Sequence, residues 1–120
     1  NKNIPKNKFK NINKKKKRYK AIKNEANAYI LLGNLLSNLG KYQEAEEQYR
    51  KALQINKLDP SLYVLIANVY YMNNEIERSL SSYRAAVNLR PENDEYKLVF
   101  IQVLDDYIEE ARRGDIIAEF

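Results

Sequence analysis

Between residues 26 and 89 apolar side chains recur at steps of three and four, the period of helices that bury one face. The stretch "YILLGNLLSNLGKYQEAEEQYRKAL", residues 29–53, is answered 34 residues later by "YVLIANVYYMNNEIERSLSSYRAAV", residues 63–87. At that offset Tyr29 meets Tyr63, Leu32 meets Ile66, Gly33 meets Ala67 and Leu36 meets Tyr70. After a break, Tyr42 meets Ile76, Ala45 meets Ser79, Tyr49 meets Tyr83, Ala52 meets Ala86 and Ile55 meets Leu89. The break holds Gly40 in one copy and Asn74 in the other, the two residue types that best tolerate the left-handed backbone ending a helix. The pattern predicts helices near 27–39, 42–56, 61–73 and 76–89. Asp59-Pro60 suits the start of the third, with aspartate as cap and proline in the first turn. Small residues at Gly33, Ala45 and Ala52, and at Ala67, Ser79 and Ala86, let paired helices approach closely, with tyrosine and leucine filling the hollows.

A 34-residue helical hairpin with a bulky residue, Leu32-Gly33, Tyr42, Ala45, Tyr49, Ala52 and a closing Pro91 resembles the tetratricopeptide repeat. Tyr29 and Tyr63 stand where the family's motif opens with tryptophan. The closing proline is present only in the second copy; the first has Lys57. The resemblance covers residues 26–93. It implies an all-α fold, an α-solenoid of helix-turn-helix repeats, with repeats at 26–59 and 60–93.

From residue 94 the pattern changes. The segment "DEYKLVFIQVLDDYIEEARRG" reads as one helix of about 20 residues over 94–113, with Arg112 and Arg113 in its last turn and Gly114 stopping it. In repeat register Ile101 falls where a small residue belongs and Lys97 where a large aromatic belongs. The segment is expected to cap the second repeat rather than open a third. Residues 114–120 are left as a C-terminal tail.

Charge divides the chain in two. Residues 1–23 hold eleven of the 21 lysines and arginines and none of the 16 acids, so residues 24–120 carry ten bases against sixteen acids, a balance of −6. Residues 1–25 are expected to form a basic arm, helical toward its end, with Lys14, Lys15, Lys16, Lys17, Arg18, Lys20 and Lys23 at its centre. Candidate partners for the arm are an anionic membrane surface and the phosphates of nucleic acid. Only Phe9 and Tyr19 are available for base stacking, which argues against base-specific readout. With no cysteine there is no disulfide framework or thiolate site, and with no histidine the commonest general base and the imidazole ligand are missing. Asp105-Asp106 and Glu109-Glu110 lie four apart on a helix and could meet a cation, but charged runs on a terminal helix usually form a solvated face. No cofactor, metal site or small-molecule substrate is expected, and no catalytic residue is assigned.

The resemblance implies instead a partner-binding groove on the first helix of each hairpin. The positions that transfer are Asn27, Ile30, Leu31, Asn34, Ser37 and Asn38, then Val64, Leu65, Asn68, Tyr71 and Met72, and on the cap Leu98, Val99, Gln102 and Asp105. Asn34 and Asn68 are equivalent and offer side-chain amides to a peptide backbone. The carboxylate clamp of some family members is not matched, since Ile30, Leu65, Glu95 and Val99 occupy its other places. The expected function is an intracellular protein-interaction scaffold, an assembly factor or accessory subunit of a larger complex. A chain rich in Asn, Lys, Ile and Tyr fits an AT-rich genome. If that genome is a plastid's, the chain would be similar to the tetratricopeptide assembly factors of photosystem I, and an anchor ahead of residue 1 would set the lysines beside a membrane. The competing expectation is an RNA- or ribosome-associated protein that uses the basic arm on phosphates.

Overall fold

A computed structural model describes the backbone of residues 6–118 and the side-chain surroundings of residues 10–114. Among the described residues five helices follow one another: α1 Lys6–Asn38, α2 Tyr42–Ile55, α3 Pro60–Met72, α4 Ile76–Leu89 and α5 Asp94–Ala118. No strand occurs among the described residues. Each helix packs on its neighbour in the chain, α1 on α2, α2 on α3, α3 on α4 and α4 on α5.

The turns form for the reasons the residues supply. Gly40 has φ 77° and Asn74 has φ 63°, so both inner breaks use the left-handed conformation. The N–H groups of Lys41 and Glu75 reach back to the carbonyls of Leu36 and Tyr70, at 2.9 and 2.8 Å. Asp59 caps α3: its Oδ1 accepts from the Ser61 backbone N–H at 3.0 Å and from the Ser61 hydroxyl at 2.6 Å, with Pro60 in the first turn. Asn93 does the same for α5, accepting from the Tyr96 N–H at 3.1 Å.

Two small cores hold the stack together. Ala45 and Tyr49 of α2 meet Ile66, Val69 and Tyr70 of α3, with Ile30, Leu36, Tyr42, Leu53 and Leu65 packed at the edges. Ala67 and Tyr83 meet Val103 of α5, edged by Val64, Ile76, Leu80, Val99 and Phe100. Gly33 shows why the register demands a small residue. A Cβ built on it would lie 2.5 Å from the Tyr49 ring. Ser79, the buried polar side chain of the core, donates to the Ala67 carbonyl at 2.8 Å.

The end helices run longer than the periodicity predicts. In register, the counterpart of the α3 start at Asp59-Pro60 is Glu25-Ala26, which contains nothing that breaks a helix. Helix α1 therefore continues back to Lys6, and the lysine-rich segment and the first repeat helix are one helix of 33 residues, about 50 Å long. From Lys10 to Glu25 every side chain on it is exposed. The counterpart of Gly40 and Asn74 in α5 is Ile108, a β-branched residue that resists the left-handed conformation, so α5 makes no turn there. It also passes through Gly114, which was expected to stop it and lies inside the helix. A single glycine costs a helix only about 1 kcal/mol. The result is an elongated molecule of 85 × 32 × 17 Å.

Candidate functional site

Asn34, Ser37 and Asn38 of α1 and Leu65 and Asn68 of α3 come together around one concavity of about 360 Å³. Tyr49 and Val69, which the sequence reading did not include, complete its lining. The Tyr49 hydroxyl rises from α2 and donates to Asn34 Oδ1 at 2.5 Å. One repeat later the Tyr83 hydroxyl donates to Asn68 Oδ1. Both tyrosines are buried, 2% and 3% exposed.

This pairing has a chemical consequence. An asparagine amide has one acceptor end and one donor end. Holding Oδ1 on a buried tyrosine fixes the rotamer and leaves the NH2 group as the free end of each amide. Two such donors sit on successive first helices of the hairpins, in the same register. Burial pushes the Tyr49 and Tyr83 hydroxyls above the usual tyrosine range, with the neighbouring Tyr71 adding to the effect at Tyr83, so both stay protonated donors at neutral pH. A repeat of Asn and Tyr 15 residues apart, at 34–49 and again at 68–83, is the sequence signal that marks the pairing.

The other expected groove positions are distributed elsewhere. Asn27 and Ile30 line a separate concavity of about 390 Å³ beside the α2–α3 turn, with Tyr19, Ile22 and Ile55. Leu31 is exposed outside both. Val64 and Val99 pack on the second core, as Leu65 does in part on the first, so their side chains serve packing as much as the surface. Tyr71 donates to Asp106 Oδ2 of α5 at 2.9 Å, a bond that holds the Tyr71 hydroxyl above the usual range. Met72, Leu98, Gln102 and Asp105 are exposed and lie outside the Asn34–Asn68 concavity.

The acidic pairs of α5 meet ordinary partners: Asp106 accepts from Tyr71, and Glu109 pairs with Arg112 at 3.8 Å. Among the described residues, no group of three or more acidic side chains converges on a metal-sized site. Lys14, Lys15, Lys16, Lys17, Arg18, Lys20 and Lys23 are all exposed along the projecting half of α1. The first residues of the basic segment lie outside the described residues. Among those described, no helix is long and apolar enough to cross a membrane.

Stacked helical hairpins of this kind define a scaffold for protein–protein interaction. The chain belongs to the tetratricopeptide repeat family, which it matches over residues 26–57 and again over 60–93, together more than half its length. It is similar to the TPR repeat-containing protein MJ1428 of Methanocaldococcus jannaschii, 31% identical over 98 residues, 82% of this chain and 14% of that one. It also resembles the human protein O-mannosyl-transferase TMTC1, 38% identical over 77 residues, 64% of this chain and 9% of that one. The mouse BBSome complex member BBS4 matches at 30% over 64 residues, 53% of this chain and 12% of that one. The chain thus spans 14% or less of the length of these curated relatives. The crystal structure of MamA shares the fold, with a TM-score of 0.55 at 19% identity over 73% of this chain and 61% of that one.

Proposed function

We propose that this chain is an adaptor that holds an extended segment of another protein across α1 and α3, and so helps assemble or stabilise a larger complex. The observation that carries the reading is the repeated Asn–Tyr pair. Asn34 and Asn68 present equivalent NH2 donors beside one concavity, each locked by a tyrosine beneath it. Two donors in repeat register suit the carbonyls of a peptide backbone, and the half-buried Leu65 gives apolar surface beside them.

Selection of displayed random peptides on the immobilised chain tests this. Asn34→Asp and Asn68→Asp keep the oxygen that each tyrosine needs and remove the NH2 donor. Selected peptides should bind the double variant at least about tenfold more weakly, at about 1 kcal/mol per lost hydrogen bond, while its melting temperature changes little. Equal binding to both proteins would refute the groove.

A second reading rests on the projecting half of α1, where every basic side chain from Lys10 to Lys23 is exposed. Attachment there to RNA phosphates would weaken steeply as salt rises, and a salt-independent or undetectable affinity for a single-stranded RNA probe dismisses it.

A further inference from the structure

Helix α1 overhangs the turn between α2 and α3. In repeat register Ala26 corresponds to Pro60, where α3 starts, so the residues before Ala26 reach past the first hairpin. The hollow of about 390 Å³ lies in the corner between this overhang and the turn. Its lining runs from the buried Leu62 through the half-buried Ile30 and Ile55 to Tyr19 and Ile22, which are 70% and 51% exposed. Half of the residues from Lys10 to Glu25 are basic, yet Ile12, Tyr19 and Ile22 stand exposed among them. Ile12, Tyr19 and Ala26 follow at steps of seven, so they form one stripe of α1, and that stripe leads into the hollow.

Charge indicates what fills the corner. Lys16, Lys20 and Lys23 follow at steps of four and three on one side of the stripe, and Lys23 itself lines the hollow. Among the described residues none of the three pairs with a carboxylate. Glu25 falls on the opposite side of α1, where it accepts from the Tyr29 hydroxyl. Asp59, also in the lining, is taken up in capping α3. The corner is therefore apolar inside and cationic at its rim.

That combination discriminates between occupants. A second α1 laid along the stripe would set lysine against lysine. A helix lying on a bilayer needs one apolar face, whereas the successive residues Lys14 to Arg18 surround α1 with charge. The phosphates of RNA use the lysines but leave the apolar hollow empty. An apolar side chain flanked by carboxylates uses both.

We propose that this corner is a docking site for an acidic segment of a partner protein. One large apolar side chain of the segment sits among Ile22, Ile30 and Ile55, and carboxylates on either side of it meet Lys16, Lys20 and Lys23. The site is independent of the Asn34–Asn68 groove, because the two concavities share no lining residue.

Selection of displayed random peptides at low salt on the Asn34→Asp, Asn68→Asp double variant, which lacks the groove donors, reads the corner by itself. Enriched sequences should combine Asp or Glu with a large apolar residue. The strongest of them, labelled for fluorescence anisotropy, should bind at least about tenfold more weakly once Ile22→Ser is added. Lys16→Gln, Lys20→Gln and Lys23→Gln together should weaken it at least as much. All four positions are exposed and outside both cores, so the melting temperature should stay unchanged. Enrichment of no peptide overturns the proposal, whether the hollow stays open or the chain's own terminal residues fill it. Acidic peptides whose binding ignores Ile22→Ser overturn it too, since charge alone then holds them. A single-stranded RNA probe that outbinds every selected peptide and is itself weakened by Ile22→Ser gives the corner to nucleic acid. Self-association abolished by Ile22→Ser gives it to a second copy, and either result refutes the partner segment.

Discussion

At the scale of single residues, side-chain size and backbone conformation explain most of the repeat. A methyl group on Gly33 would press on the Tyr49 ring, itself buried between helices, so Gly33→Ala should destabilise by about 1–3 kcal/mol. Gly40→Ala meets no neighbour and should cost only about 1 kcal/mol, from forcing a Cβ into φ 77°. Urea unfolding followed by circular dichroism distinguishes the two, and the reverse order would contradict the packing described. Ser79→Ala removes one buried hydrogen bond but installs the residue that the first repeat already uses at Ala45. The expected loss is near 1 kcal/mol. The buried tyrosines add a pH dependence. Tyr49 and Tyr83 have their pKa raised above the unfolded value of 10.0, so the stability they confer is complete below that pH. It is lost as pH rises from there through the folded-state values. The urea midpoint should fall above pH 10.0, and Tyr83→Phe should make that fall shallower.

At the scale of elements, caps and breaks decide where helices begin and end. Asp59→Ala removes the acceptor for the Ser61 N–H and should cost about 1 kcal/mol. The long α1 is a different case. Its residues Lys10 to Glu25 contribute little to either core, so deleting residues 1–20 should lower the helical circular dichroism signal while shifting the melting temperature by no more than a few degrees. A large drop in melting temperature would show that the contacts of Tyr19 around the second concavity stabilise the stack. The helix boundaries of α2, α3 and α4 were legible within a residue or so because the breaks between them contain Gly, Asn, Asp and Pro. The outer ends of α1 and α5 were not legible in the same way. Residues 1–25 read as an arm that is helical toward its end, and no cap or breaker marks where that helix begins. In α5 a lone glycine reads as a stop, although it costs a helix only about 1 kcal/mol.

At the scale of the whole molecule, the stack is extended. Its radius of gyration of 20.4 Å far exceeds the roughly 14 Å of a globular domain this size. A solenoid buries only the surface between neighbours, so each end matters in proportion. Few residues are fully buried, and the exposed ion pairs, such as Arg112–Glu109 and Lys97–Asp94, add little stability. Small-angle scattering of dilute protein should give an elongated particle of that radius. A value near the globular figure would mean that α1 folds back on the repeats.

The 34-residue period by itself determined that the chain is a pair of helical hairpins, because the small residues, the tyrosines and the left-handed breaks are local requirements written at fixed spacing. It also picked out Asn34 and Asn68 as equivalent. Tertiary structure alone decided which of the expected groove positions share one hollow. Asn34 and Asn68 share one concavity, Asn27, two turns away along α1, lines another, and Val64 and Val99 pack on the second core. Which positions meet follows from the sum of packing contacts between helices, which no single stretch of sequence records. The same is true of the tyrosine beneath each asparagine, a partner 15 residues away that is found only once the hairpin closes.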